Sequence, residues 1–485
     1  MPPILWILFA ALGAVLLLFA FCALRAARLK EKKAEQTPAV AWTDREEALY
    51  AERLSRMIRH PTLSKKQEED WPVFRAFQAE LEAMFPLTFA AAERHDVDGN
   101  ILLRIPGSEP ERGGVLLMGH QDVVPADQAE WTVDPFAGVI KDGCVWGRGA
   151  MDCKSTVCCE FSAVEELLAE GFRPKEDLWL FSSRNEENSG GGAQAAVAYL
   201  KDHKYRLNVV LDEGGAVIDG VFPGLTRPCA AVGVVEKGFC NVKFIARGAG
   251  GHASTPPKNT PIARLSAFVA AAEKKKLFRS EMRTPVPEMF AAITPYLPFY
   301  FRFVLGNLWL FRPLVTAALP LFSRMAEAFV ATTAAFTMSG GSAAPNVLPD
   351  KAWVIANVRP SPHQNAEESI GVLRKLAAKY GVETEVLMQR DASAVSDPKS
   401  EEFRFLTRCL GEVFTDAIPT PYLMTGGTDS RQFEAVCPNV LRIAATRLTR
   451  AQLDAMHAAN ENIGVRALAE GVKFYRYYLE ERNQR

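Results

Sequence analysis

Three short apolar segments run into side chains of the kind that hold divalent cations. Val115–Met118 leads into Gly119-His120-Gln121-Asp122, Leu178–Phe181 into Asn185-Glu186-Glu187, and Val209–Leu211 into Asp212-Glu213. His120 and Asp122 stand at i and i+2, so in extended backbone they point the same way, one able to ligate a metal while the other orients a ligand. Asp152, in Gly147-Arg148-Gly149-Ala150-Met151-Asp152, precedes a helical pattern starting near Ser155. Taken singly it reads as a helix N-cap; a carboxylate can also bridge two cations through its two oxygens. Glu186 and Glu187, in a Gly-rich loop, are either solvated charge or a working pair. In a metallohydrolase such a pair divides the labour: one carboxylate holds the metal and the other takes a proton from the attacking water. Asp212 ends an all-apolar strand, where a buried charge needs a partner. His457, in Asp454-Ala455-Met456-His457-Ala458-Ala459-Asn460-Glu461, is alone a helix-surface histidine and in this company a final ligand.

The elements that must position these residues alternate. Strand-like runs (Ile101–Ile105, Val115–Met118, Leu178–Phe181, Val209–Leu211, Val440–Ile443) are interleaved with helical patterns over Ser155–Glu170, Ala193–His203 and Glu401–Phe414. This is the pattern of an α/β domain with a mostly parallel sheet, in which ligands bind beyond the carboxyl ends of the strands. From about Gly238 the pattern changes: Asn241–Ala246, Ala352–Val358 and Glu383–Met388 read as strands, with helices around Pro261–Lys275 and Ala366–Tyr380. That order predicts a ferredoxin-like α+β insertion carrying an extra apolar segment between its first helix and second strand. Domain bounds follow at 44–237 and 393–485 for a catalytic domain in two parts, with 238–392 inserted as a lid.

Together the segments Gly119–Pro125, Gly147–Lys154, Asn185-Glu186-Glu187, Leu211-Asp212-Glu213-Gly214 and Met456-His457 resemble the M20 family of di-zinc peptidases and acylases, in the family's order. Within it the chain is most similar to the carboxypeptidase S branch, which includes N-fatty-acyl-amino-acid hydrolases. The resemblance implies two zinc ions, other divalent cations being possible. His120, Asp152 and Asp212 would hold one, with Asp152 bridging to a second held by Glu187 and His457. It makes Glu186 the general base and Asp122 the carboxylate that fixes the His120 ring. It also implies a homodimer through the lid, with His252 of Gly250-Gly251-His252-Ala253-Ser254 reaching the partner subunit's site to polarise the scissile carbonyl. Asn346 and Arg359 would bind the substrate's free carboxylate, and Gly427 and Thr428 of Gly426-Gly427-Thr428-Asp429 fall in the loop supplying backbone donors near it. The implied substrate is an N-acyl or C-terminal peptidyl amino acid. An aminoacylase or dipeptidase for short soluble substrates is the alternative. A catalytically silent membrane scaffold would lack the base or a ligand, and none is missing.

Bulk properties narrow the class. With 56 basic and 57 acidic residues in 485, the formal charge is −1, which excludes the basic excess of a nucleic-acid binder. Nine cysteines are too sparse for a disulfide scaffold and, being odd in number, leave at least one thiol free. Residues 4–24, ILWILFAALGAVLLLFAFCAL, carry no charge, and about 20 apolar residues span a bilayer as a helix. A cleaved signal peptide would want positive charge before its apolar core; here Arg25, Arg28, Lys30, Lys32 and Lys33 follow it, within a linker at 25–43. The chain therefore reads as a single-pass membrane protein with a cytoplasmic soluble domain, an extracytoplasmic one being the alternative. A second apolar stretch, Leu297–Phe322, holds Arg302, Arg312 and three prolines. Spanning would bury those charges at roughly 2.5 to 3.5 kcal/mol each, so it is not read as a span. It is either buried helix of the lid or a greasy surface for an acyl chain or the bilayer.

Overall fold

The computed structural model describes residues 3–29, 38–64 and 71–485. The chain builds a mixed α/β body around a ten-stranded sheet. Its middle strands, Asp177–Ser183, Gly114–His120, Leu207–Asp212 and Val440–Arg442, are mutually parallel, and antiparallel neighbours flank them on both sides. Three of the predicted apolar runs lie inside these strands, Val440–Ile443 passes the end of Val440–Arg442 by one residue, and Ile101–Ile105 lies in the antiparallel neighbour Asn100–Ile105. They read as continuous apolar sequence because both faces are covered: Val115 and Leu117 pack under the helices Asp44–Ile58, Lys154–Ala169 and Val465–Asn483. Leu116 and Met118 pack against Gly192–Asp202 on the other face. Local signals fix the helix starts. Thr43 and Glu46 form a capping box on Asp44–Ile58, and Asn365 caps Ala366–Ala378 through the Glu368 amide at 2.8 Å.

A second, four-stranded antiparallel sheet has the order Thr333–Gly340, Lys351–Arg359, Phe239–Arg247, Glu383–Arg390. Pro261–Lys274 and Ala366–Ala378 bury its one face through Val242, Phe244, Val354 and Ala356. The other face keeps Met338 and Leu387 exposed.

Pro3–Arg28 is one continuous helix, long and apolar enough to cross a membrane, a property it shares with signal sequences. Of the 25–43 linker, residues 30–37, which include Lys30, Lys32 and Lys33, lie outside the described residues. The apolar segment expected not to span forms two helices, Phe299–Leu305 and Leu308–Phe322, bent by 102° to one another. Its inner side, with Leu305, Val315 and Leu319, packs on Phe290 and Ile293 and on Cys229 and Ile418 at the amino ends of two sheet strands. All nine cysteines are free thiols.

Candidate metal centre

The residues singled out at the strand ends converge on one rim of the central sheet. His120 closes the strand Gly114–His120, and its ring is pinned from behind: Nδ1 lies 2.8 Å from the Asp122 backbone carbonyl and 3.4 Å from Asp122 Oδ1. With the Nδ1 proton donated to that carbonyl, Nε2 is free to point into the site, 2.8 Å from Asp152 Oδ1 and 3.4 Å from Glu213 Oε1. Asp122 is fully buried and its carboxylate has other work. Its oxygens accept the Glu186 and Glu187 amides, both at 3.1 Å, and the Ser64 hydroxyl at 2.7 Å. One side chain thus ties the turn bearing the paired glutamates to the strand end bearing His120.

Asp152 bridges two groups of potential ligands. Its Oδ1 faces His120 and its Oδ2 lies 2.9 Å from His457 Nε2, which is itself 3.3 Å from Glu187 Oε2. The ligand atoms fall into two clusters with Asp152 in common: His120, Asp152, Cys153 and Glu213, and Asp152, Glu187 and His457. The helix after Asp152 is capped at Cys153 with no side-chain cap bond, so the N-cap reading does not apply. His457 reaches the cluster from a left-handed backbone conformation, φ 60°, sparsely populated by residues other than glycine.

Two of these placements were not expected. Glu213, rather than Asp212, faces His120. Asp212 remains in the strand, where its Oδ1 accepts the Glu213 amide at 2.8 Å and its Oδ2 the Ser430 amide at 3.1 Å. The Asp212-Glu213 doublet marked the place but not which member turns inward. The second is Glu461, fully buried, which accepts Arg148 Nη1 at 2.7 Å and the amides of Gly149, Met151 and Asp152 at 3.1, 2.7 and 3.1 Å. It holds the 147–152 loop in the shape that presents Asp152. Its only trace in the sequence is an acidic residue four positions after His457.

The electrostatics fit cations. Burial and surrounding carboxylates push Glu186 well above the usual range, Glu213 up to about 8 and Asp429 up to about 7. His457 is pushed up to about 10 by its bonds to Asp152 and Glu187, and the His120 ring is also raised despite its burial. Asp152 is held low, the two imidazoles outweighing its burial. The site thus favours positive charge between these same atoms. Glu187 Oε1 is buried with no hydrogen-bond partner among the described residues. Concentrating Asp152, Glu186, Glu187 and Glu213 against two imidazoles carries a large desolvation and repulsion cost that divalent cations would offset. The donor set, imidazole plus carboxylate, suits zinc and its neighbours.

The remaining expected residues stand outside this cluster. Thr428 donates to Glu236 Oε1 at 3.0 Å and lies 2.7 Å from Ser430 Oγ; Glu236 in turn pairs with the fully buried Arg442 at 2.6 Å. Its hydroxyl therefore braces the 426–430 loop, leaving Gly427 exposed beside it. His252 pairs with Val347 on a short ladder, Asn346 precedes that strand and accepts the Ala253 amide at its carbonyl at 3.0 Å, and His252 and Asn346 are both exposed. The His252 ring bonds Ser254 Oγ at 2.7 Å and touches none of the cluster. Arg359 lies over the Phe239 ring at 4.5 Å and donates to Asn357 Oδ1 at 2.9 Å; no carboxylate pairs with it among the described residues.

The Glu213 placement predicts a split between two conservative variants. Glu213→Gln should lower bound metal from about two ions to about one per chain after dialysis, measured by plasma mass spectrometry. Asp212→Asn should keep its metal and lose thermal stability as the 426–430 loop loosens. The reverse pattern would return Asp212 to the ligand set.

A family model described as peptidase family M20/M25/M40 matches residues 116–481. The N-fatty-acyl-amino acid synthase/hydrolase PM20D1 of Xenopus tropicalis is 32% identical, covering 89% of this chain and 85% of its own length. Carboxypeptidase S of Saccharomyces cerevisiae is 25% identical, covering 89% and 84%. Among solved structures, an M20 family metallo-carboxypeptidase from Sulfolobus solfataricus superposes with TM-score 0.66 at 18% identity, covering 90% of this chain and 99% of that one. Human carnosine dipeptidase 1 superposes with TM-score 0.63 at 18% identity, covering 91% and 97%. At those identities the structures speak for the fold.

Proposed function

The chain belongs to peptidase family M20/M25/M40 and is a hydrolytic enzyme; from that premise we propose a membrane-anchored di-zinc amidohydrolase that releases an amino acid from an N-acyl or C-terminal peptidyl substrate with a free carboxylate. The observation that carries the reading is the Asp152 carboxylate shared between His120 with Glu213 and Glu187 with His457, with the Glu186 carboxyl in the electrostatic field of His120, Glu213 and Asp152. In this reading 44–237 and 393–485 form the catalytic domain, 238–392 the lid and dimerisation domain, and 4–24 the anchor.

Held by His120, Asp152, Glu213, Glu187 and His457, two divalent cations would polarise the scissile carbonyl and acidify the attacking water. Glu186 takes the proton of that water and passes it to the leaving amine nitrogen. Asp122 keeps Glu186 in reach by holding its amide. Arg359, whose planar fork suits a carboxylate and which lacks a carboxylate partner among the described residues, binds the substrate's carboxyl end with Asn346. The exposed backbone of Gly427 adds a donor. His252, exposed and making no bond to its own chain's cluster among the described residues, serves the site of a second copy by donating to the developing oxyanion. The open face of the second sheet, with exposed Met338 and Leu387, supports pairing between copies.

The test is a panel of N-oleoyl, N-acetyl and dipeptidyl amino acids, each with a free carboxylate or as the carboxamide, assayed with and without a zinc chelator. Long-chain N-acyl amino acids should be cleaved, their carboxamides spared, and turnover should vanish with chelator and return with zinc. Cleavage of short dipeptides alone would leave the dipeptidase reading. Turnover insensitive to chelation would end the metal mechanism, and no turnover of any substrate would favour the silent scaffold.

A further inference from the structure

The two helices at 299–322 are apolar on the wrong side for a soluble protein. Their inner faces are satisfied by Leu305, Val315 and Leu319 in the core, yet Tyr300, Trp309, Leu314, Leu321 and Phe322 point outward, Leu321 at 86% exposure. Surfaces in water rarely carry so continuous an apolar patch without a partner.

The neighbour of this patch identifies the partner. The carboxyl-terminal third of Pro3–Arg28 packs directly on it: Phe19 lies 5.3 Å from Phe303 and Phe21 6.2 Å from Trp309, ring centre to ring centre. Asn307 Nδ2 donates to the Cys22 carbonyl at 3.1 Å, and Arg302 Nη1 to the Leu29 carbonyl at 2.7 Å. Cys22 and Ala26 are buried by the contact. Phe19 precedes Leu24, the last residue of the uncharged run, by five positions. At 1.5 Å rise per residue that is about 7.5 Å inside the hydrocarbon boundary. With the helix across a bilayer, whatever touches Phe19 also lies at acyl-chain depth. Arg25 and Arg28 follow the run and Arg302 reaches Leu29, so these three cations fall on the other side of that boundary; Arg312, exposed on the second helix, donates to the Met282 carbonyl. This is the arrangement of an interfacial element, acyl chains against the apolar side chains and phosphates against the arginines.

We propose that residues 299–325 insert into one leaflet beside the N-terminal helix, so that the enzyme meets the membrane through a span and a second, monotopic element. The proposal rests on the anchor reading above. A lone span joined by a linker would let the catalytic body swing; a second contact fixes its orientation to the lipid surface. That suits a substrate whose acyl chain partitions into the bilayer.

The test uses the full-length chain in vesicles of phosphatidylcholine and phosphatidylglycerol, with a benzoylphenylalanine photocrosslinker in place of Leu16, Leu314, Leu321 or Ile140, one position at a time. Leu16 reports the anchor, and Ile140 is an exposed apolar control on the catalytic body. Lipid adducts at Leu314 and Leu321 should be of the same order as at Leu16 and about tenfold or more above Ile140, the contrast between acyl-chain and aqueous surroundings. Adducts at Leu16 without adducts at Leu314 and Leu321 would overturn the proposal and leave the anchor standing. Crosslinks from Leu314 or Leu321 to a second copy of the chain would overturn it in favour of a protein interface. Lipid adducts at none of the four would remove both the anchor and the inserted element.

Discussion

Glu186→Gln should keep its metal, its fold and its KM while kcat falls by about 10²- to 10⁴-fold, the contribution of a positioned general base. The side chain sits in a turn whose amides at Glu186 and Glu187 are both held at 3.1 Å by Asp122, so the position of the carboxylate is fixed by backbone and survives the substitution. The amide is nearly isosteric and removes only the ability to take a proton. Glu186 is absent from both ligand clusters, whereas its neighbour Glu187 is in one, so metal content separates the two residues. Glu187→Gln should lower metal content and activity together; Glu186→Gln should lower activity alone. Steady-state kinetics combined with metal analysis makes the comparison. A Glu186→Gln enzyme within tenfold of wild type would remove the general-base assignment, and one that lost metal would make Glu186 a ligand.

What could be read ahead of the structure was decided by how local each signal was. His120, Asp152, Glu187 and His457 each follow an apolar strand or lie in a Gly-rich or acidic loop, and the strands Gly114–His120, Asp177–Ser183 and Leu207–Asp212 carry their partners to a common rim. The Asp212-Glu213 doublet did not reveal which member faces His120, because that depends on where the ladder stops. The strand Val440–Arg442 pairs Arg442 with Asp212, which keeps Asp212 in the sheet and turns Glu213 out of it into the site. Strand Ile418–Met424 went unseen because Pro419 and Pro421 interrupt it. Those prolines are tolerated at an edge, where the strand pairs only with Cys229–Glu236 among the described residues. Thr333–Gly340, with sequence TAAFTMSG, has too little contrast between its faces to announce itself. Glu461 acts through four hydrogen bonds to residues 309 to 313 positions away in the chain, a relation no spacing rule reports. His252, Asn346 and Arg359 came from resemblance alone, and in a single chain none of them meets the cluster.

That separation gives His252 the second large effect. His252→Ala should fold, bind metal and lose nearly all turnover, because an oxyanion donor is worth about 10²- to 10³-fold in kcat. The informative measurement mixes this variant with Glu186→Gln under conditions that let subunits exchange. In a mixed dimer the chain carrying His252→Ala keeps its own Glu186 and receives His252 from its partner, so one of the two sites is whole. Random pairing in a two-fold dimer should then restore about a quarter of wild-type activity, from two variants that are each nearly inactive. If His252 acted within its own chain, every site in the mixture would lack one of the two groups and nothing would be regained. The first outcome requires a His252 that is free of its own chain's cluster. His252 lies on the Gly251–His252 strand, bonded through Nδ1 to Ser254 and exposed, with its Nε2 edge open to a neighbour. Subunit exchange is verified by separating the mixed dimer on two affinity tags. Once a tagged heterodimer is isolated, an inactive one refutes the shared site and leaves His252 acting within its own chain or outside the reaction.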